Sequence, residues 1–320
     1  MEPLTLPAID CPFAADFETT EHPHAREATE ELLDLLHHID PDLPGSVIRR
    51  GVPIEAILTR CWLGTSKSAL LAGLMGSVHF FLHDDWVEER DDTGRLVRTR
   101  DELLAHYDSA HRILGGGSPL PGDLSLAHLL YLFRRQVIEV SPHPDIRSLA
   151  LSVEQYLAAH VWELDIARQG RVPSLSTYVP MRLYTGGTLP FFELDLHLYG
   201  LAVPARIREH PVVKHLCETA ANLAIWVNDL YSINKERREG SAINLVAVLR
   251  AERSCSWPEA VDAATAMIHQ ATEAYLDVRG RLPDLGIDVS GDLEAWLSRV
   301  EAYMALTLIN TPRTPRYGAH

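Results

Sequence analysis

From about residue 25 to residue 310 one pattern recurs along the chain: apolar side chains three and four positions apart, interrupted by short clusters of Pro, Gly and Asp. That spacing follows the 3.6-residue turn and gathers the apolar groups on one helix face, whereas strand-like alternation is nearly absent. The pattern predicts helices at roughly 25–39, 53–63, 66–90, 100–115, 123–140, 145–169, 174–199 with a break, 205–238, 241–253, 257–281 and 291–310. Asp40 to Gly45, Gly115 to Gly122 and Arg281 to Gly286 read as loops between them. With no repeat, no low-complexity tract and no long linker, the expectation is one all-α helical bundle over residues 25–320, preceded by an irregular arm over 1–24.

Composition narrows the partners. At 46% hydrophobic and 23% charged residues the chain can bury a large core. A net charge of −15 argues against nucleic acid or an anionic membrane as the main partner, and an acidic protein that takes a polyanion needs bridging cations. Cys11, Cys61, Cys217 and Cys255 show no paired or metal-binding spacing and read as reduced thiols. The start of the chain lacks a basic, apolar leader pattern, and the longest apolar run, Ala69 to Leu82, falls short of the ~20 residues that span a bilayer. The expected setting is cytoplasmic, with no membrane partner and with a homodimer left open.

The helical pattern that opens near Ala205 ends in Asn228, Asp229, Leu230, Tyr231, Ser232, Ile233, Asn234, Lys235 and Glu236. At about 100° per residue, Asn228, Ser232 and Glu236 form one oxygen-bearing stripe over about 12 Å. An amide oxygen, a hydroxyl and a carboxylate are hard ligands that suit Mg²⁺ completed by phosphate and water, and the alternative is an ordinary solvated face. Upstream, an apolar helix ends in acid: Asp84 and Glu88 lie one turn apart, with Asp85 and Glu89 beside them and Phe80 and Phe81 one turn deeper. In Met181 to Pro190, a Gly pair followed by Pro should break a helix one turn after Arg182. The tail carries Arg316 and Tyr317, donors that suit phosphate oxygens.

Together these residues resemble the bacterial class I terpene synthases. That family carries a DDxx(x)[DE] motif, matched by Asp84, Asp85, Glu88 and Glu89, and an NDxxSxxxE triad, matched by Asn228, Asp229, Ser232 and Glu236. A diphosphate-sensing Arg stands where Arg182 lies, with Gly186 in the effector position, and an Arg-Tyr pair closes the chain at Arg316 and Tyr317. The resemblance implies the class I terpenoid synthase fold, three Mg²⁺ ions and an isoprenyl diphosphate substrate. It places one ion on Asn228, Ser232 and Glu236 and two on Asp84 with Asp85 or Glu88. It assigns diphosphate contacts to Arg182, Asn228, Lys235, Arg316 and Tyr317, and ionisation to Arg182, Gly186 and Asp84. Two departures stand out: Thr185 where relatives often have Asp, and Asn310 where they commonly have Trp.

The implied chemistry is loss of diphosphate from an allylic carbon, then cyclisation of the carbocation to a terpene hydrocarbon or alcohol. Trp62, Phe80, Phe81, Phe191, Phe192 and Asn310 are the candidate pocket residues, the aromatics offering cation–π faces and Asn310 a place for a quenching water. Farnesyl diphosphate is favoured as substrate, and the small Asn310 leaves room for the geranylgeranyl homologue. The alternatives are a chain-elongating isoprenyl diphosphate synthase, a metal phosphohydrolase built on His79, His83 and Asp84, and a helical protein without catalysis.

Overall fold

The computed structural model describes residues 2–10, 12–13, 20–49, 52, 58–143, 145–241 and 243–311. Along them run α1 (Ala25–Ile39), α2 (Leu43–Arg49), α3 (Thr59–Cys61), α4 (Lys67–Val87), α5 (Arg100–Leu114), α6 (Ser125–Val140) and α7 (Arg147–Gln169). There follow α8 (Leu175–Thr185), α9 (Leu189–Leu198), α10 (Ala205–Arg208), α11 (Pro211–Glu239), α12 (Leu245–Arg253), α13 (Trp257–Gly280), a 3-10 turn at Pro283–Leu285 and α14 (Gly291–Asn310). Among the described residues there is no strand beyond one antiparallel bridge between Arg90 and Leu96, so the chain is all-α as its periodicity requires. No helix among them is long and apolar enough to cross a membrane. Cys61, Cys217 and Cys255 form no disulfide, and Cys11 lies outside the described residues.

The chain divides into two compact units, one of Thr19–Asp165 with Glu193–Gly200, the other of Met1–Glu18, Ile166–Phe192 and Leu201–His320. In the first, α4 is the central element and is buried nearly all round. Ser66 caps its N-terminus, its hydroxyl accepting from the Ala69 amide at 3.2 Å. Gly73 and Gly76 let neighbours approach its backbone: a Cβ on Gly73 would come within 2.4 Å of the Trp62 ring, and one on Gly76 within 2.9 Å of Phe133. Burying side chains such as Trp62, Leu70, Leu74 and Phe133 contributes about 1.5–3 kcal/mol each. α1 and α6 pack against this helix, and a reciprocal cap between Thr99 and Glu102 fixes the start of α5.

In the second unit α11 plays the central part, packed by α8, α12, α13 and α14. Pro211 opens it and Gly240, at φ 74°, ends it in the left-handed conformation that glycine adopts most readily. The start of the chain runs along this helix. The Leu4 amide donates to Asn234 Oδ1 at 2.7 Å, Asn234 Nδ2 returns a bond to the Leu4 carbonyl at 3.0 Å, and the Tyr231 hydroxyl donates to the Pro7 carbonyl at 3.0 Å.

Several boundaries differ from the periodicity. The helix expected over 205–238 is two, because Pro211 holds His210 extended at φ −61° and ψ 129°. α2 begins inside the stretch read as a loop, with Pro44 in its first turn where a missing amide costs nothing. Asn244 delays α12 to Leu245 by capping it. The acidic helix stops at Val87 rather than 90, and of the segment expected over 53–63, residues 53–57 lie outside the described residues while the rest holds only the short α3.

Candidate active site

On the C-terminal half of α11, Ser232 is fully buried and its hydroxyl donates to Glu236 Oε1 at 2.6 Å. Glu236 leans back one turn, as helical side chains do, and its other oxygen, Oε2, accepts from Asn244 Nδ2 at 2.9 Å. Asn228 lies one turn before Ser232, half-buried. Burial, then the nearby Asp229 charge, pushes the Glu236 carboxyl up to about 7, against the pull of its bonds to Ser232 and Asn244 and of Arg182. Enclosure makes the charge of this carboxylate costly, and a cation bound beside it would offset that cost. With amide, hydroxyl and carboxylate oxygens on one stripe, these residues fit a hard divalent ion.

Asp229, the adjoining motif residue, points the other way. It is fully buried and accepts Arg182 Nη2 at 2.9 Å, Arg182 Nε at 3.3 Å and the Leu245 amide at 2.8 Å, with the Tyr178 hydroxyl as a further donor. Burial, followed by the Asp229 charge, raises the Tyr178 phenol well above its usual range, which keeps it a donor. Arg182 Nη1 also donates to Thr185 Oγ1 at 3.3 Å, so a hydroxyl links the arginine to the helix end. The helix breaks where expected: α8 stops at Thr185, Gly186 follows, and Gly187 turns at φ 67° into α9. A Cβ on Gly186 would sit 2.4 Å from Ile225, so the close packing of this break on α11 requires glycine.

The acidic motif occupies the last turn of α4 in the other unit. Asp84 and Asp85 are half-buried, and Glu88 is the exposed C-cap, its amide donating to the Asp84 carbonyl at 3.0 Å. His160 of α7 is buried with Nε2 3.7 Å from Asp84 Oδ1 and 3.9 Å from Glu163 Oε2, while its Nδ1–H donates to the Tyr156 carbonyl at 2.9 Å. Burial opposes charge on this ring, but the Asp84 and Glu163 carboxylates within 4 Å of it outweigh that cost and raise the pKa. Glu89 leaves the helix and pairs with Arg98, whose guanidinium lies 5.0 Å over the Trp86 ring. Among the described residues no three His, Cys, Asp or Glu side chains gather to hold a metal by themselves. Ligation here would therefore use Asp84 with one neighbour, Asp85 or Glu88, and complete itself with phosphate and water. His79, His83 and Asp84 do not form the set a phosphohydrolase would need: His79 and His83 stack on each other and on His106 inside the unit.

The remaining candidates separate by surroundings. Phe80 is buried against Tyr156, ring centroids 4.7 Å apart, and Phe81 is half-buried. Phe191 and Phe192 flank Tyr303 at 5.5 and 5.8 Å. Trp62 is a core residue, its indole N–H donating to Asp195 Oδ1 at 2.9 Å. Lys235 pairs with Glu239 at 3.7 Å. Asn310, the last residue of α14, donates to the Leu306 carbonyl of its own helix at 2.9 Å. Arg316 and Tyr317 lie outside the described residues. Tyr178, Asn244 and His160 belong to none of the motifs read from the sequence. Asn244 alone carried a signal, a capping residue before an apolar run.

The sequence model of terpene synthase family 2, C-terminal metal binding, matches residues 77–274. The 10-epi-cubebol synthase of Sorangium cellulosum is 27% identical over 313 residues, 97% of each chain. The (+)-T-muurolol synthase ((2E,6E)-farnesyl diphosphate cyclizing) of Roseiflexus castenholzii is 28% identical over 225 residues, 70% of this chain and 68% of that one. Among solved structures, germacradien-4-ol synthase from Streptomyces citricolor superposes with a TM-score of 0.76 over 97% of this chain and 98% of its own, at 22% identity, which shows a shared fold.

Proposed function

We propose, on the premise that this chain belongs to terpene synthase family 2 and is a terpene cyclase, that it is Mg²⁺-dependent and ionises a linear isoprenyl diphosphate, farnesyl diphosphate ahead of the geranylgeranyl homologue. The observation that carries this reading is the buried group of Ser232, Glu236 and Asn244 beside the Arg182–Asp229 pair. Hard oxygen ligands one turn from the carboxylate that anchors a guanidinium suit a substrate whose leaving group is a polyanion. The preference for fifteen carbons leans on the T-muurolol synthase relative, named for cyclising (2E,6E)-farnesyl diphosphate.

Asn228, Ser232 and Glu236 would hold one ion and Asp84, with Asp85 or Glu88, the others; bound there, Mg²⁺ neutralises the charge that gathers on the diphosphate as its C–O bond breaks. Arg182 presents N–H donors to the diphosphate oxygens while Asp229 keeps its planar group from swinging. Phe191 and Phe192 with Tyr303, and Phe80 with Tyr156, offer ring faces that stabilise a carbocation where water is excluded.

The test is purified protein with Mg²⁺ and the C10, C15, C20 and C25 diphosphates in turn, read by gas chromatography–mass spectrometry and by diphosphate release. A cyclic C15 product with diphosphate released from farnesyl diphosphate is the expected result. Release of diphosphate only when isopentenyl diphosphate is supplied and consumed would make the chain an elongating prenyltransferase instead.

A further inference from the structure

We infer that Asn244, which lies outside the family motif, is a positioning residue that sets the carboxylate of Glu236 for metal binding; the inference rests on the function proposed above. Asn244 is fully buried just before α12. Its Oδ1 accepts the Val246 amide at 2.8 Å, the ordinary work of a capping residue. Its Nδ2 does something a cap does not require: it donates to the Asp229 carbonyl at 2.7 Å and to Glu236 Oε2 at 2.9 Å. An amide nitrogen has two protons, and both are spent. Flipping the amide would turn its oxygen toward two acceptors, so the side chain has one acceptable orientation.

Glu236 is thereby gripped on both oxygens, Oε1 by Ser232 at 2.6 Å and Oε2 by Asn244. The residue type follows from this. Ser and Asp cap helices about as well as Asn does, but neither supplies two donors, and Asp would set a third carboxylate beside Asp229 and Glu236. The cap alone does not explain asparagine, whereas the grip on Glu236 does. Because the same amide ties down the backbone of Asp229, the ligand turn and the turn that anchors Arg182 share one fixed point.

The experiment uses Mn²⁺ as a paramagnetic probe, titrated into the full-length protein with inorganic pyrophosphate and followed by electron paramagnetic resonance. Mg²⁺ half-saturation and substrate KM are measured in parallel. For N244S and N244D the expected result is a rise of about 10- to 100-fold in Mn²⁺ and Mg²⁺ half-saturation, the usual loss when a ligand's supporting bond is removed, with a much smaller change in substrate KM at saturating Mg²⁺. V248A is the control: Val248 is fully buried in α12 and its aliphatic side chain can give Glu236 no hydrogen bond, so its truncation loosens the same helix and should lower thermal stability while leaving metal half-saturation unchanged. Metal half-saturation at the wild-type level in either Asn244 variant, or an equal rise in V248A, would overturn the assignment. A wild-type protein that takes up neither Mn²⁺ nor pyrophosphate would instead defeat the function on which it rests.

Discussion

Arg182 Nη2 lies 2.9 Å from Asp229 Oδ1, with the arginine side chain 12% exposed and the carboxylate wholly enclosed, so the two charges balance inside the fold. Removing the cation leaves an anion stranded among Tyr178, Leu245 and the α11 backbone. Arg182→Ala is therefore expected to lower unfolding free energy by about 3–5 kcal/mol, besides lowering turnover. Denaturant unfolding measures it, and a wild-type midpoint in the variant would mean that the pair carries no structural weight.

The break after α8 offers a second test. In Gly186→Ala the new methyl would press on Ile225 at 2.4 Å, an overpacking expected to cost about 1–3 kcal/mol. Shortening the neighbour in Gly186→Ala/Ile225→Ala should recover part of that cost. Two strictly additive losses in thermal melts would show that the methyl meets no resistance there.

Acid should weaken the unit built on α4. Burial, helped by repulsion from His106, holds the His79 ring down to about 3, and burial holds His106 down to about 4, with Asp123 opposing. His83, between them, is also depressed by burial, while His160, raised by Asp84, works in the opposite sense. The His79 and His106 rings are neutral in the fold, so their contribution is complete above an unfolded pKa near 6.5 and is lost as pH falls, by about 2 kcal/mol for each at pH 5. Urea unfolding at pH 7.5 and pH 5 tests the sign, and His106→Phe should flatten the dependence.

Chelation with EDTA should abolish turnover and added Mg²⁺ should restore it. Ser232→Ala removes a proposed ligand and the donor 2.6 Å from Glu236, so it should raise the Mg²⁺ requirement more than the substrate KM. An equal rise in both would move Ser232 from metal binding to general packing.

Helices whose burial is one-sided were legible as periodicity. α1 shows it, with Leu32 and Leu36 inward and its bounds matching the expected 25–39. Pro211 is visible, yet the apolar spacing continues across it and hides the split between α10 and α11. The stripe of Asn228, Ser232 and Glu236 could be drawn from helix geometry alone, since three residues on one element need no knowledge of the fold. Asn244 and Tyr178 could not, because their bonds to Glu236 and Asp229 exist only once α8, α11 and α12 pack together. The Asp229 side chain was legible as part of a motif and mute as to its task, which its burial against Arg182 supplies.

Every role proposed for these residues depends on metal-assisted departure of diphosphate from an isoprenyl chain. Its most direct measurement is the yield of cyclic C15 product and free diphosphate from farnesyl diphosphate with Mg²⁺, for the wild type beside Asp84→Ala and Glu236→Gln. The account predicts stoichiometric product and diphosphate from the wild type and loss of both in each variant with the fold retained. Undiminished diphosphate release in both variants would contradict it.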